Sequence, residues 1–219
     1  MKKADIHTMF TRFQAGDPEP KGELNYKNPY TLLVAVALSA QATDVGVNKA
    51  TGPLFEVADT PEKMVALGEE KIRDYVKTIG LFNTKAKNVF KLSQILIDKY
   101  NSVVPEDADL LETLPGVGKK TASVVLNMAF GHPRIAVDTH IYRLSHRTGL
   151  THAKTADAVM KRLEKIVPIE FRLHAHHWMI LHGRYICKAR KPDCHRCIIY
   201  DLCNFKKKTA EDPQLTIAS

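Results

Sequence analysis

Apolar residues recur at helical spacing along most of the chain, and no segment shows the strict alternation of a half-buried strand. Ile6, Met9, Phe10 and Phe13 form the first apolar stripe. Residues 134–137 are extended at most, and no Asn-Gly hairpin is present. The pattern therefore predicts an all-α protein.

Capping residues, prolines and glycines locate most of the helix ends. Asn28-Pro29 supplies an N-cap and a first helical residue for the apolar run of residues 30–40, which predicts a helix buried on all sides. The other predicted starts are Asp44, Thr60-Pro61, Asn83 or Thr84, Asp107, Lys119, Asp138 and Thr155, and the predicted stops include Gly80 and Gly149.

We expect two helical lobes. A middle lobe over residues 23–133 contains a helix-hairpin-helix at about residues 108–130. A discontinuous second lobe combines residues 1–22 with residues 134–219.

Composition narrows the possible roles of the chain. Hydrophobic residues make up 44% and charged residues 26%, which excludes a disordered or a collagen-like chain. The longest apolar run has about half the length of a membrane-spanning helix, and the first residues lack the apolar stretch of a signal peptide, so we expect a cytosolic protein. The net charge of +8 favours a polyanionic partner, although composition alone leaves simple solubility equally open.

All four cysteines lie near the end of the chain, with the spacing C-x6-C-x2-C-x5-C: Cys187, Cys194, Cys197 and Cys203. In a cytosolic protein such a group indicates one metal centre, and four thiolates suit either zinc or a four-iron cluster, between which the spacing does not decide. Arg190 and Lys191 lie within the first loop. A metal that fixed both ends of that loop would hold Lys191 in place for a phosphate contact.

The segment of residues 114–122, Leu-Pro-Gly-Val-Gly-Lys-Lys-Thr-Ala, is the most informative in the chain. Gly116 and Gly118 permit a tight turn between two helices, and the unpaired N–H groups that follow can bind a DNA phosphate without reading the bases. Lys119 and Lys120 add positive charge. An ordinary turn between helices is the alternative.

Lys120 and Asp138 are the candidate catalytic pair. Lys120 falls in the first turn of a helix, where the dipole opposes its charge; a neutral lysine can attack a sugar carbon and form a Schiff base. This requires its pKa to fall from ~10.4 towards neutrality, mostly through desolvation. The alternative is that both lysines bind phosphate only. Asp138 could accept the proton of the lysine, or it could simply cap the following helix.

With these residues identified, the chain resembles the endonuclease III family of helix-hairpin-helix DNA glycosylases. The resemblance extends from about residue 24 to residue 203. It depends on five segments: residues 38–44, the hairpin, residues 137–140, residues 182–184 and the four cysteines.

The resemblance implies an enzyme of DNA base-excision repair that removes oxidised pyrimidines from double-stranded DNA and cleaves the abasic site by β-elimination. Lys120 and Asp138 would be catalytic, in a cleft between the lobes, and the four cysteines would hold a structural [4Fe-4S] cluster. Gln41 and Leu81 would enter the duplex, His140 would lie near the pocket, and Arg184 belongs to a matching segment and a basic region. A nucleoid-associated cytoplasmic monomer is expected.

Two other functions remain open at this stage. A glycosylase without lyase activity, such as an adenine glycosylase, would lack the lysine at position 120, so Lys120 argues against it. A DNA-binding module without chemistry would use the hairpin and the basic loop alone.

Overall fold

The computed structural model describes residues 1–209, which contain α-helices and short 3-10 helices and no β-strand, so the all-α prediction is confirmed for these residues. The α-helices are α1 (Lys3–Gly16), α2 (Pro29–Leu38), α3 (Asp44–Val57), α4 (Pro61–Leu67), α5 (Glu69–Val76), α6 (Phe82–Tyr100), α7 (Ala108–Glu112), α8 (Lys119–Phe130), α9 (Thr139–Thr148), α10 (Ala156–Ile166) and α11 (Arg172–Tyr185). None of the described helices is both long and apolar enough to cross a membrane.

The chain divides into two compact units. The middle unit, Gly22–His132, contains α2 to α8, and the terminal unit combines Met1–Lys21 with the chain from Pro133 onward. The last ten residues of the second lobe expected from the sequence, 210–219, lie outside the described residues.

The middle unit is built around α2. Every residue from Tyr30 to Leu38 is buried, as a helix that is apolar on all sides requires. Neighbouring helices α3, α6 and α8 pack against α2, and α4 and α5 pack against α6. The Tyr30 hydroxyl is within 2.6 Å of Ser93 Oγ, so the polar atom of this buried ring has a partner on α6.

The terminal unit joins distant parts of the chain. Ile6, Met9, Phe10 and Phe13 are buried together with apolar residues of α9, α10 and α11. Trp178 of α11 is 4% exposed, and its Nε1 donates to the Asp17 carbonyl at 2.7 Å. The first apolar stripe is thus the predicted core face of α1.

Most helix starts agree with the predicted caps. Side chains of Asn28, Thr60, Asp107, Asp138 and Thr155 each accept a hydrogen bond from a backbone N–H in the first turn that follows.

Two helix ends differ from the prediction. Helix α6 begins at Phe82, one residue before the predicted Asn83, because Leu81 takes a left-handed backbone conformation with φ 60°. Helix α5 ends at Val76, four residues before Gly80, since the chain turns there through a hydrogen bond from Ile79 N to Val76 O.

Candidate functional site

The hairpin of the middle unit joins α7 to α8 through a turn that needs glycine at one position. Gly116 has φ 81°, and a Cβ added there would lie 3.0 Å from Asn88 Nδ2 on α6, so both the conformation and the space disfavour a side chain. Gly118 is the N-cap of α8 and offers no side chain to its first turn, which also lacks an acidic residue. The helix therefore presents N–H groups and a positive dipole end to an anion.

Both lysines of the hairpin lie in the first turn of α8, as predicted. Lys119 and Lys120 are exposed, and the side chain of Lys120 makes no hydrogen bond or ion pair with any other described residue. The amine at position 120 is consequently not held by a surface carboxylate in the described part of the chain.

Gln41 and Leu81 are neighbours in the middle unit. Both are exposed and both have positive φ, 54° for Gln41 and 60° for Leu81. A Cβ added at Gly80 would lie 3.9 Å from the Gln41 carbonyl oxygen, so the two loops pass close to each other. Left-handed conformations are costly for residues other than glycine and tend to occur at functional positions.

Asp138 is the N-cap of α9 in the terminal unit. Its carboxylate oxygen accepts a hydrogen bond from the Ile141 N–H at 2.8 Å, and the residue is half-buried. The capping interpretation of Asp138 therefore holds. A chemical role for the same carboxylate is not excluded by this contact, since one oxygen is left for other partners.

His140 lies two residues further along, in the first turn of α9. Its backbone is packed against Gly183 of α11, where an added Cβ would be 2.9 Å from the His140 carbonyl oxygen. Arg143 Nη2 is 3.3 Å from His140 Nδ1, which orients the ring. Arg184, also on α11, is half-buried and has interaction partners.

The four cysteines line one pocket in the terminal unit. They are free thiols, and the rest of the lining is largely apolar, including Leu144, Ile186 and Ile199. No three His, Cys, Asp or Glu side chains among residues 1–209 are placed as a single metal ion would need.

Two nitrogen atoms approach sulfur atoms of this pocket. Arg147 Nη1 is 3.5 Å from Cys187 Sγ, and His182 Nε2 is 3.4 Å from Cys197 Sγ. Burial lowers the pKa of His182 to about 4 and raises that of Cys197 to about 11. Four convergent thiols in a largely apolar pocket, with an arginine N–H donor at one sulfur, form a donor set that fits an iron–sulfur cluster, whose properties depend on such hydrogen bonds.

Two arginines of α9 hold the loop of residues 187–194, a role that the sequence did not predict. Arg143 Nε donates to the Cys187 carbonyl at 2.9 Å. Arg147 donates to the carbonyls of Lys188 and Ala189 at 2.7 and 2.9 Å. The two arginines lie one helical turn apart on a predicted helix, but nothing in the sequence pairs them with carbonyl groups forty residues away.

Lys191 is exposed in that loop, as expected. The other charges nearby are partly paired, since Lys188 Nζ is 2.8 Å from Asp193 Oδ2. On the opposite side of the cysteine segment, the Arg12 guanidinium binds both carboxylate oxygens of Asp201 and holds the pKa of that carboxyl below its ordinary value. The segment is thus attached to α1 as well as to α9.

The predicted site residues fall into three local groups. The middle unit brings Gly116 and Gly118 together with Lys119 and Lys120 in the hairpin, and it brings the loop of Gln41 close to Gly80, the residue before Leu81. The terminal unit places Asp138 and His140 at the start of α9, with Arg184 on α11. The four cysteines surround one pocket there, and Lys191 lies in the first loop between them.

Two family models match the chain. The HhH-GPD superfamily of base excision DNA repair proteins matches residues 34–169, and the iron–sulfur binding domain of endonuclease III matches residues 187–203, from the first cysteine to the fourth. Endonuclease III of Escherichia coli K12 is 55% identical over 95% of this chain and 99% of its own length. Endonuclease III of Treponema pallidum is 56% identical over 90% of this chain and 94% of its own length.

A solved structure shows the same fold. It is a trapped covalent intermediate of endonuclease III with DNA, superimposes with a TM-score of 0.87 at 46% identity, and covers 93% of this chain and 96% of that one. The chain therefore belongs to the endonuclease III family within the HhH-GPD superfamily of base excision DNA repair proteins.

Proposed function

We propose that this DNA glycosylase and abasic-site lyase removes oxidised pyrimidines from double-stranded DNA and cleaves the resulting site through a Schiff base on Lys120. The observation that carries the proposal is the exposed amine of Lys120 at the uncapped start of α8, directly after the glycine turn. A relative trapped in a covalent intermediate with DNA supports a covalent route.

The reaction begins when the damaged nucleotide leaves the base stack, which costs least for a base that stacks poorly. The Lys120 amine attacks the anomeric carbon, and the glycosidic C–N bond breaks with its electron pair leaving on the base. We assign the proton of the attacking amine to the Asp138 carboxylate. Asp138 then returns this proton to the ring oxygen as the C1′–O4′ bond breaks, and the electron pair of the amine forms the C1′=N bond of a protonated Schiff base. This cation acidifies a hydrogen on the next sugar carbon.

Loss of that hydrogen expels the 3′ phosphate, and this β-elimination cuts the strand. Water then hydrolyses the imine and restores the Lys120 amine. Each step uses only the substrate, water and side chains of this chain.

DNA is held by residues of several kinds in this proposal. Gly116, Gly118 and Lys119 grip a phosphate through backbone N–H groups and charge. Gln41 and Leu81, exposed and held in left-handed conformations, fill the gap that the flipped nucleotide leaves.

Three residues of the terminal unit complete the DNA contacts. We place His140 at the nucleotide pocket and assign Arg184 and Lys191 to the phosphate backbone. The net charge of +8 supports a sequence-independent attraction to the duplex.

The iron–sulfur domain binds a [4Fe-4S] cluster. We assign its ligands to Cys187, Cys194, Cys197 and Cys203, the four thiols of one pocket. When bound, the cluster supplies a structural cross-link, and no electron is needed for base removal or elimination. The protein residues around it hold Lys191 in position through the carbonyl contacts of Arg143 and Arg147.

We further propose that the two units act as the lobes of one monomer in the cytoplasm, associated with the nucleoid. A polycationic protein that binds DNA without sequence preference spends most of its time on the chromosome. Sedimentation at micromolar concentration should give a mass near 24.6 kDa.

Borohydride trapping tests the chemistry. The protein is incubated with a duplex containing thymine glycol and reduced, and the wild type should become covalently linked to the strand. Lys120→Gln should give no adduct, whereas Lys119→Gln, the matched control one residue away, should still be trapped. If the wild type binds the duplex and gives no adduct, the lyase proposal is wrong and a DNA-binding module without chemistry is favoured.

A further inference from the structure

One buried cation of the middle unit has no role in the site described so far. Lys85 lies in α6 with only 6% of its surface exposed. Its Nζ is buried and has no hydrogen-bond partner in the described part of the chain. Burial lowers the pKa of this ammonium. Buried lysines are normally paired, so an unpaired one indicates that its counter-ion comes from outside the chain.

The backbone N–H groups at the start of α6 also lack hydrogen-bond acceptors within residues 1–209. Leu81 is the N-cap and offers no side-chain acceptor, and the first turn contains no acidic residue. The N–H groups of Phe82, Asn83 and Thr84 have no acceptor among the described residues. A helix of 19 residues therefore presents its positive dipole end and three free donors.

Within the middle unit, which is described throughout, only α6 and α8 begin in this way. Helices α2, α3, α4 and α7 have a side-chain cap, and α5 has Glu69 and Glu70 in its first turn. Helix α8 carries the hairpin and Lys120. The second uncapped start, at α6, has no assigned ligand.

Helix geometry directs the Lys85 side chain towards this helix start. In an α-helix the Cα–Cβ bond tilts towards the N-terminus, so a long side chain at the fourth helical position lies back over the first turn. Leu81, Lys85 and Asn88 share one face of α6 at spacings of four and three residues. That face runs from the exposed Leu81 to Asn88, whose Nδ2 lies 3.0 Å from the Cβ position of Gly116 in the hairpin.

We propose that the N-terminus of α6 together with Lys85 is a second phosphate-binding site, which holds a phosphodiester of the DNA strand near Leu81. The proposal rests on the DNA binding set out under the proposed function and adds a contact to it. An ammonium beside a positive helix end is unfavourable without an anion, and a phosphate oxygen would satisfy the charge and the N–H groups together.

The site is accessible from the duplex side of the loops. Leu81 is 59% exposed, and Asn83 and Thr84 are exposed as well. The four methylene groups of Lys85 allow its ammonium to move out towards an anion that docks on the first turn. Binding then replaces an unpaired buried charge by a charge-assisted hydrogen bond, so this contact gains more than one made by a solvated lysine.

The salt dependence of DNA binding tests the proposal. Affinity for a duplex with a non-cleavable abasic analogue is measured against salt concentration for the wild type, Lys85→Met and Lys87→Met. Lys87 is exposed on the same helix, and its substitution removes the same charge. Lys85→Met should lower the affinity by roughly tenfold and reduce the slope by about 0.9, the value for one phosphate contact, while Lys87→Met should change both much less.

A measurement on the wild type keeps the proposal testable if Lys85→Met does not fold. Inorganic phosphate, titrated without DNA, should shift the amide resonances of Asn83 and Thr84 with saturation. Equal losses in the two variants, an unchanged slope for Lys85→Met, or no amide shifts with phosphate would each overturn the site. Borohydride trapping of the wild type is independent of these results, so the second site can fail while the lyase proposal stands.

Discussion

Asp138 combines a structural contact with a proposed chemical one at a single carboxylate. Its oxygen accepts the Ile141 N–H at 2.8 Å, which stabilises the start of α9. Asparagine caps helices about as well as aspartate but carries no charge, whereas alanine can do neither. Asp138→Asn should therefore keep the wild-type free energy of unfolding, and Asp138→Ala should lose about 1 kcal/mol.

Measurement of base excision distinguishes the helix-capping role of Asp138 from its proposed chemical role. Both variants should be strongly impaired in single-turnover release of thymine glycol, since each lacks the carboxylate. Urea unfolding provides the stability comparison on the same preparations. Full excision activity in Asp138→Asn would show that this aspartate is a cap and nothing more.

Gly116 is the residue on which the hairpin geometry depends. Its φ of 81° disfavours any side chain, and a Cβ would also lie 3.2 Å from Asn88 Cβ. Gly116→Ala should cost about 1–2 kcal/mol of stability, the usual penalty of a left-handed residue with some added strain. Gly118→Ala is the matched control, because its Cβ would meet nothing within 4 Å and its φ is −106°.

The two glycine variants are compared by urea denaturation. Adding Asn88→Ala to Gly116→Ala should recover part of the loss, since it removes the contact but not the backbone strain. Equal stability of Gly116→Ala and Gly118→Ala would mean that the turn does not require a left-handed residue.

At the level of elements, hydrogen bonds from α9 restrain the loop of residues 187–194. Arg147 donates to two loop carbonyls, and its guanidinium stacks 4.6 Å from the centre of the Phe205 ring. Lysine keeps the charge but cannot reproduce the planar fork. Arg147→Lys should therefore loosen the loop and speed tryptic cleavage after Lys188 and Arg190 by roughly tenfold, because local opening exposes those bonds.

Arg162→Lys is the control for this experiment. Arg162 is exposed on α10, and its replacement should leave the cleavage pattern of the holoprotein unchanged. Iron content is measured in parallel. Identical cleavage rates for Arg147→Lys and the wild type would show that the carbonyl contacts do not restrain the loop.

Some helix boundaries can be predicted from local sequence alone, and others cannot. Caps such as Asn28 and Asp107 depend on a side chain and a backbone N–H three residues away, so a short window of sequence predicts them. Leu81 is different, because leucine has no preference for left-handed conformations. Its conformation is a property of the folded loop, and the predicted start of α6 was late by one residue for that reason.

The sequence likewise predicted only part of the candidate site. Lys120, the hairpin glycines and the cysteines form compact sequence motifs, which the resemblance to a family identified. Lys85, Arg143 and Arg147 lie on predicted helices without any unusual spacing. Lys85 is distinguished by its burial and the two arginines by partners distant in the chain, and helical periodicity reveals neither.

For the whole molecule, the terminal unit depends on closure of a chain that leaves it after Lys21 and returns at Pro133. Its core joins α1 to α11, and the amino group of Met1 donates to the Gly149 carbonyl at 2.8 Å. Since these contacts join segments far apart in the sequence, their loss on unfolding should be cooperative. Conditions that act on one buried residue of this core therefore affect the unit as a whole.

His177 of α11 makes the stability of that unit depend on pH. It is 7% exposed, and neither ring nitrogen has a hydrogen-bond partner among residues 1–209. Burial, with a smaller effect of His174 and an opposing one of Asp17, lowers its pKa to about 4 from 6.5. Because the folded-state pKa is the lower one, the unfolded chain takes up the extra proton between these values. Stability is complete above pH 6.5 and is lost as the pH falls towards 4.

Replacement of His177 should weaken the dependence of the free energy of unfolding on pH. Between pH 7 and pH 5 the wild type should lose about 2 kcal/mol through His177, and His177→Phe should lack this part of the loss. Urea unfolding of the holoprotein, followed by circular dichroism at pH 5, 6 and 7, measures the difference. His152→Phe, which removes an exposed histidine, should retain the wild-type slope. Parallel profiles for the wild type and His177→Phe would mean that His177 is protonated in the folded protein or satisfied by water, and that the acid sensitivity of the fold arises at other groups.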